Sequence, residues 1–252
     1  MQYKPVALVT GANKGIGLQI AKDLSAFGLT VLVGSRNLEN GEKAAKSAGA
    51  DARAAQLDVT DQASITTAAE RIRSEFGRLD VLVNNAAVSH AVKLKPGWTL
   101  EDAVELGRAS VVPLNEVRAV FETNVFGVIA VTQAMLPLLR KAPAARIVNV
   151  SSTAGSLKLN ANPNHPSRAL FGPSYSASKT ALNAITLAFA VELEATPIKD
   201  NAACPGFTAT DLNNFAGTRT VKQAAREPVR LALLGPDGPT GTFSDENGPI
   251  PW

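Results

Sequence analysis

Short apolar runs alternate along this chain with longer stretches whose apolar positions recur at helical spacing. Val6–Thr10, rich in branched residues and ended by Gly11, reads as a buried strand, and Gly15–Phe27 as a helix that stops at Gly28. The alternation repeats. It predicts further strands over Thr30–Gly34, Arg53–Leu57, Asp80–Asn84, Arg146–Ser151 and Lys199–Ala203, the last poorer in β-branched residues. Helices are expected over Leu38–Ser47, Asp61–Phe76, Leu114–Arg140 and Ser174–Ala195. Asp61 marks a helix start and Gly77 its end; Pro137 bends or ends the long helix, and Pro197 stops the last one. Strand-then-helix repetition implies parallel strands joined by helical crossovers, and strands apolar on both faces imply a sheet covered on each side. The expectation is therefore α/β: a doubly wound parallel sheet with helices on both faces, in a single domain over residues 1–252. Ser89–Pro113 and Ser156–Gly172 fit neither period; the second, with Asn160, Asn162, Pro163, Asn164 and Pro166, reads as a loop.

Composition narrows this picture. A hydrophobic fraction of 45% and a charged fraction of 19% are those of a globular domain, and 252 residues bury a sizeable core. The net charge of +3 comes from scattered basic residues, so charge gives no ground for nucleic-acid binding, although a mild cationic bias attracts an anionic cofactor. Cys204 is the only cysteine, which rules out an intrachain disulfide. No apolar signal region follows Met1, and no apolar run reads as long enough to span a membrane. The expectation is a soluble, cytoplasmic protein with no membrane partner.

The first candidate chemistry lies between the first strand and the first helix. Thr10 to Gly17 reads TGANKGIG, placing Gly11, Asn13, Lys14, Gly15, Ile16 and Gly17 in one turn. Glycines allow a backbone to turn tightly and approach a pyrophosphate, and a helix amino terminus offers free N–H groups and a positive dipole end. The spacing is Gly-x-x-x-Gly-x-Gly rather than GxGxxG, and an ordinary tight turn is the plain alternative. After the second strand the chain reads Gly34-Ser35-Arg36-Asn37, with no acid before Glu39. An acid there suits the ribose of NAD, whereas arginine accommodates the 2′-phosphate of NADP. Arg36 offers a planar fork for that phosphate and Lys14 a second charge, so the reading is NADPH/NADP+; two solvated cations are the bland alternative.

The second candidate is Tyr175-Ser-Ala-Ser-Lys179. On a helix, residues four apart share a face. A neighbouring ammonium favours phenolate, so Lys179 is expected to lower the Tyr175 pKa and make the phenol a proton donor and acceptor near neutral pH. Alone, the pair is equally a surface helix with a solvated lysine.

Together these stretches resemble the short-chain dehydrogenase/reductase family, over nearly the whole chain. The likeness is carried by TGANKGIG at 10–17, Leu57-Asp58-Val59, Asn84-Asn85-Ala86-Ala87, Asn124 within Thr123–Gly127, Ser151-Ser152, Tyr175-x-x-x-Lys179 and Cys204-Pro205-Gly206, in the family's order. Ala87 stands where glycine is more usual. The carbonyl-reductase-like branch is most similar, through its Asn-Lys-Gly-Ile-Gly turn, Arg36 and an enlarged segment of 23 positions from Ser152 to Tyr175.

The resemblance implies a Rossmann domain with catalytic Asn124, Ser152, Tyr175 and Lys179. Tyr175 would protonate the carbonyl oxygen, Lys179 would lower its pKa and bind the nicotinamide ribose, Ser152 would hold the substrate carbonyl, and Asn124 would support a water leading to solvent. Asp58 and Val59 would meet adenine, Asn84 and Ala86 would line the cofactor groove, and Pro205, Gly206, Thr208 and Thr210 would contact carboxamide and phosphates. The implied activity is reduction of a hydrophobic ketone, keto ester or aldehyde with NADPH. NAD-dependent alcohol oxidation and a non-catalytic NADPH-sensing regulator are the alternatives. Substrate walls are expected from residues near 88–113, 153–172 and 207–219, bearing Trp98, Leu157, Leu170, Phe171, Phe207 and Phe215. No metal site is expected: His90 and His165 read as loop residues, and Cys204 as a small buried hydrophobe. A homo-oligomer, dimer or tetramer, is expected, with a monomer as the alternative; the C-terminal Gly248–Trp252 packs either on a neighbour or on its own fold.

Overall fold

Strands whose residues are buried on both faces need a layer on each side, and the chain supplies both. In the computed structural model, which describes residues 4–91 and 99–252, one sheet holds β1 (Val6–Val9), β2 (Thr30–Ser35), β3 (Ala52–Gln56), β4 (Val81–Asn84), β5 (Arg146–Val150), β6 (Lys199–Ala203), β7 (Phe243–Asp245) and β8 (Gly248–Pro249). Their spatial order is β3-β2-β1-β4-β5-β6-β7-β8. The helices are α1 (Gly15–Ala26), α2 (Leu38–Ala48), α3 (Gln62–Phe76), α4 (Leu100–Leu106), α5 (Leu114–Phe121), α6 (Gly127–Leu139), α7 (Leu157–Ala161), α8 (Tyr175–Glu192), α9 (Val221–Ala224) and α10 (Arg226–Ala232).

Alternate residues of each strand feed opposite cores. Leu8, Leu32, Leu82 and Ile147 pack with Ile65 and Ile72 of α3 and Val131, Met135 and Leu139 of α6. Ala7, Val9, Val33, Val83 and Val148 pack on the other face with Ile20 and Leu24 of α1, Ala44 of α2 and Val229 of α10. Asp61 caps α3 by accepting from Ala63 N at 3.0 Å, and Gly77 ends it in the left-handed region at φ 72°.

Four expectations need correction. The sheet is not wholly parallel, because β8 runs antiparallel to β7 with Ser244 opposite Pro249; the short turn between them leaves no room for a crossover. The expected single helix over Leu114–Arg140 is interrupted by a π turn at Glu122–Phe126, and it continues past Pro137 for two residues. This whole run, Leu114–Leu139, is long and apolar enough to cross a membrane, contrary to the reading of the sequence, but its inner face packs against the sheet through Val131 and Met135. The loop assigned to Ser156–Gly172 contains α7 and a 3₁₀ turn at Arg168–Leu170. Trp98 lies outside the described residues. Gly248–Trp252 packs on its own fold: Ser156 Oγ donates to Pro251 O at 2.6 Å, Lys158 N donates to Trp252 O at 3.1 Å, and the Trp252 ring stacks on Phe243.

Beneath α8 the core is polar. Asn149 of β5 donates to Thr186 Oγ1 and to Asp200 Oδ1, each at 2.9 Å, and accepts from Asn84 Nδ2 at 2.8 Å. Asp200 is fully buried, and its Oδ2 has no hydrogen-bond partner among the described residues. Burial raises its pKa well above the usual carboxylate range. The folded protein thus keeps a proton that the unfolded chain releases, and stability falls as pH rises from the ordinary carboxylate range through the raised value. Asp200→Asn removes this slope. It should raise the melting temperature at pH 8 by at least ~2 °C, about 1 kcal/mol for a domain of this size, and change it little at pH 4.5. Thermal scans at both pH values check this; a loss of stability at pH 8 would refute it.

Candidate active site

Parallel strands direct all their carboxyl ends to one edge, and the order β3-β2-β1-β4-β5-β6 reverses the direction of winding between β1 and β4. A crevice opens at such a reversal. Gly11 follows β1, Arg36 follows β2, Asp58 and Val59 follow β3, Ala86 follows Asn84 at the end of β4, Ser152 follows β5 and Pro205 follows β6. The fold therefore gathers the predicted residues along one edge.

At the β1–α1 junction, Gly11 and Gly15 adopt φ of +61° and +58°, which favours glycine. A Cβ on Gly11 would sit 2.9 Å from Ala86 Cα, and one on Gly17 would sit 2.3 Å from Asn85 Nδ2. The turn is thus stitched to the loop after β4, and Asn85 Nδ2 donates to Thr10 O at 2.9 Å. Lys14 occupies the cap of α1 without a side-chain capping bond, so the first-turn amides of Gly15, Ile16 and Gly17 face the crevice uncapped. That is the donor set an anion needs, and the residues present fit a dinucleotide pyrophosphate. Arg36 is exposed beyond β2, and Asn37 next to it caps α2. The Lys14 ammonium meets the Asp211 carboxylate at 3.3 Å, so the second charge expected for a 2′-phosphate already has a partner. Asp58 accepts from Thr60 N and Oγ1 at 2.9 and 2.7 Å, and Val59 is buried, with its carbonyl 2.8 Å from a Cβ placed on Gly127. Asn84 is buried in the polar seam and braces the sheet rather than lining the groove with its side chain.

The reacting groups converge beside β5. Ser152 starts a 3₁₀ turn, Thr153–Gly155, accepting from Ala154 N at 3.1 Å, and its side chain lies near enough to the Tyr175 phenol to draw that group's pKa down against burial. Lys179 lies one turn further along α8, almost wholly buried, donating to Val150 O at 2.8 Å with its Nζ 5.7 Å from the Tyr175 ring centre. The turn approaches α8 this closely because residue 155 is glycine: a Cβ there would lie 2.6 Å from the Lys179 carbonyl carbon. Gly155 escaped the sequence reading, since a lone glycine after a strand signals only a turn. Cys204 is buried, accepts from Thr153 N at 3.3 Å and has its thiol pKa raised by burial, in keeping with a packed hydrophobe.

Asn124 sits in the π turn, wholly buried. Its Nδ2 donates to Val88 O at 2.8 Å and Ser178 Oγ at 3.0 Å, and its Oδ1 accepts from Val88 N at 2.9 Å. Both amide protons are used, so the side chain braces the loop after β4 against α8 instead of holding a water through its N–H groups. A helical repeat alone could not show this, because the widened turn that swings Asn124 inward has no sequence signature.

The expected lowering of the Tyr175 pKa is not found. Burial pushes it up to about 12, against the opposing hydrogen bond from Ser152. Burial also pulls the Lys179 ammonium down to about 8. Desolvation outweighs the attraction of the pair, because the ammonium points at the Val150 carbonyl rather than at the phenol oxygen. Tyr175 is therefore a phenol at neutral pH, the form that donates a proton. Among the described residues, no cluster of metal-ligating side chains occurs.

Comparison with known proteins places this geometry. Residues 5–220 match the family model described as short chain dehydrogenase. The chain is 35% identical to (-)-isopiperitenone reductase of Mentha piperita, over 94% of this chain and 95% of that protein. The solved structure of salutaridine reductase from Papaver somniferum superposes with a TM-score of 0.80 at 30% identity, over 95% of this chain and 99% of that one. A 3-ketoacyl-(acyl-carrier-protein) reductase from Brucella melitensis, complexed with NADH, gives a TM-score of 0.78 at 26% identity, over 96% of both chains.

A buried lysine whose pKa falls from 10.5 to about 8 binds fewer protons folded than unfolded. Its burial costs stability below that folded value, and the cost fades as pH rises toward 10.5. Lys179→Met should therefore raise stability at pH 7 by about 1–2 kcal/mol, net of the lost bond to Val150, while abolishing turnover. The gain should shrink by pH 10. Denaturant titration at both pH values checks this; a variant less stable at pH 7 would show the ammonium to be solvated.

Proposed function

This chain belongs to the short-chain dehydrogenase family, and we propose that it works as an NADPH-dependent carbonyl reductase, converting a hydrophobic ketone, keto ester or aldehyde to the alcohol. The observation that carries the proposal is the convergence of Tyr175, the buried Lys179 one turn behind it and the Ser152 turn held against α8 through Gly155, at the carboxyl edge beside a glycine turn that fits a dinucleotide. A bound reduced nicotinamide supplies the hydride. Ser152 and the Tyr175 phenol hold the substrate oxygen, and the phenol gives its proton to that oxygen as the alcohol forms. Lys179, one turn along, would bind the cofactor's ribose. Asn124 keeps α8 and the loop after β4 in register, and the uncapped amides of α1 hold the pyrophosphate.

The exposed Arg36 supports a preference for the 2′-phosphate, since no acid stands after β2 to bind a free ribose. Leu157, Leu170, Phe171, Phe207 and Phe215 all present exposed apolar surface on two of the three segments expected to wall the crevice, which supports an apolar substrate. Two relatives named above act as reductases in plants, in keeping with that reading. Phe126, Leu187 and Val191 expose apolar surface on the long helices, which supports pairing of two copies in a cytoplasmic homodimer or tetramer.

Turnover is followed as loss of reduced-nicotinamide absorbance on a carbonyl panel. Tyr175→Phe should lower kcat by ~10²–10⁴-fold, the usual share of a positioned proton donor, with little effect on NADPH binding. Preference for a charged keto acid over an aryl ketone would count against the substrate class. Arg36→Ala should lower the NADPH-to-NADH ratio of kcat/KM by ~10–100-fold, as loss of a charge-assisted pair to phosphate implies. An unchanged ratio would assign that discrimination elsewhere.

A further inference from the structure

The segment Pro205–Arg219 leaves β6, crosses the carboxyl edge and returns to α9 as a body braced from within. Arg219 N donates to Phe207 O at 3.0 Å and Ala209 N to Arg219 O at 2.9 Å, closing its base. Asn213 Nδ2 donates to Thr208 O at 2.9 Å, and Phe215 N to Thr210 O at 2.9 Å. Gly217 lies so close to the outgoing strand that a Cβ would be 2.1 Å from the Thr208 carbonyl carbon. Asn214 and Phe215 hold φ of 52° and 60°, a left-handed pair that costs energy and turns the tip sharply. The base is tied down by Arg219, whose guanidinium meets the Glu246 carboxylate at 2.7 Å.

The outer end is held differently. Thr210 Cγ2 comes within 3.6 Å of a Cβ placed on Gly15, Ser89 Oγ donates to Leu212 O at 2.6 Å, and the Asp211 carboxylate meets Lys14. One of these contacts reaches the loop after β4 and two reach the phosphate-binding turn, so the segment spans the mouth of the crevice. Lys14 and Asp211 are both more than half exposed, so their pair is weak, and a weak pair between a rigid flap and a fixed turn can open and reclose.

We propose that Asp211 latches this flap: its ion pair with Lys14 holds Pro205–Arg219 against the phosphate-binding turn and sets how long a bound dinucleotide is retained. Asp211 is then a positioning residue, acting through Lys14 rather than on the reacting atoms. The proposal rests on the dinucleotide-binding reading above.

The test is release of NADPH from the protein, followed by its fluorescence in stopped flow, for wild type, Asp211→Asn, Lys14→Met and the double variant. Asp211→Asn should speed release ~2–5-fold at low salt, the range an exposed ion pair supports. The difference should vanish at ~0.5 M salt, where charges are screened within a few ångströms. In the Lys14→Met background the Asp211 substitution should have no further effect. Unchanged release in Asp211→Asn, or an equal effect with and without Lys14, overturns the latch. Failure of the wild type to bind NADPH or NADH at all would overturn the dinucleotide reading with it.

Discussion

The buried ammonium of Lys179 is the constraint around which the site is arranged. An ammonium removed from water needs a strong acceptor, and the acceptor here is the last carbonyl of β5. Meeting that need forces α8 down onto the carboxyl edge of the sheet. Helical geometry then places Tyr175 one turn away on the same face. The same descent brings the turn after Ser152 against the helix backbone, which only a residue without Cβ tolerates at position 155. The phenol, the hydroxyl and the amine are consequently located by one packing contact rather than by three independent ones. Asn124 works to the same end from the other side, since its carboxamide ties Ser178 of α8 to Val88.

The polar seam under α8 extends this logic away from the chemistry. Asn183 accepts from Ser151 Oγ at 2.5 Å, and Thr186 and Asp200 both accept hydrogen bonds from the Asn149 amide. Apolar residues of similar size would satisfy the core at less desolvation cost, and the neutral Asp200 carboxyl with one oxygen unpartnered adds to that cost. What directional bonds add over apolar packing is a defined position along and around the helix axis. A helix held only by apolar contacts can slide by fractions of an ångström; one read residue by residue by β5 cannot. Placement of a proton donor depends on that kind of precision.

The fold was legible because its strongest signals are local. Short strand-like runs between helical stretches located the six strands from β1 to β6, and the capping residues Asp61 and Gly77 bounded α3 within a residue. The glycine turn and the Tyr175–Lys179 spacing were legible for the same reason, each being short in sequence. What escaped depends on partners distant in sequence. The π turn exists because Asn124 finds Val88 and Ser178, 36 and 54 positions away. β7 and β8 are too short to show a period, and α7 hides in a segment whose asparagines and prolines read as loop, although Ser156 caps it and the chain's own C-terminal residues hold it. Lys14 was legible as a cation at the phosphate turn, but not its pairing with Asp211, nearly two hundred positions on.

The tyrosine shows why spacing alone misjudges electrostatics. A phenol and an ammonium one turn apart suggest a stabilised phenolate, and in water the attraction would decide the matter. Here both groups are withdrawn from solvent, and each ionised form loses more hydration than the other returns, so the phenol stays protonated while the amine drifts toward neutrality. A site poised this way holds the proton on the phenol, where reduction of a carbonyl requires it, and an alcohol oxidation would need that proton removed first. The direction of both shifts thus follows from burial rather than from the charge pair that drew attention to these residues.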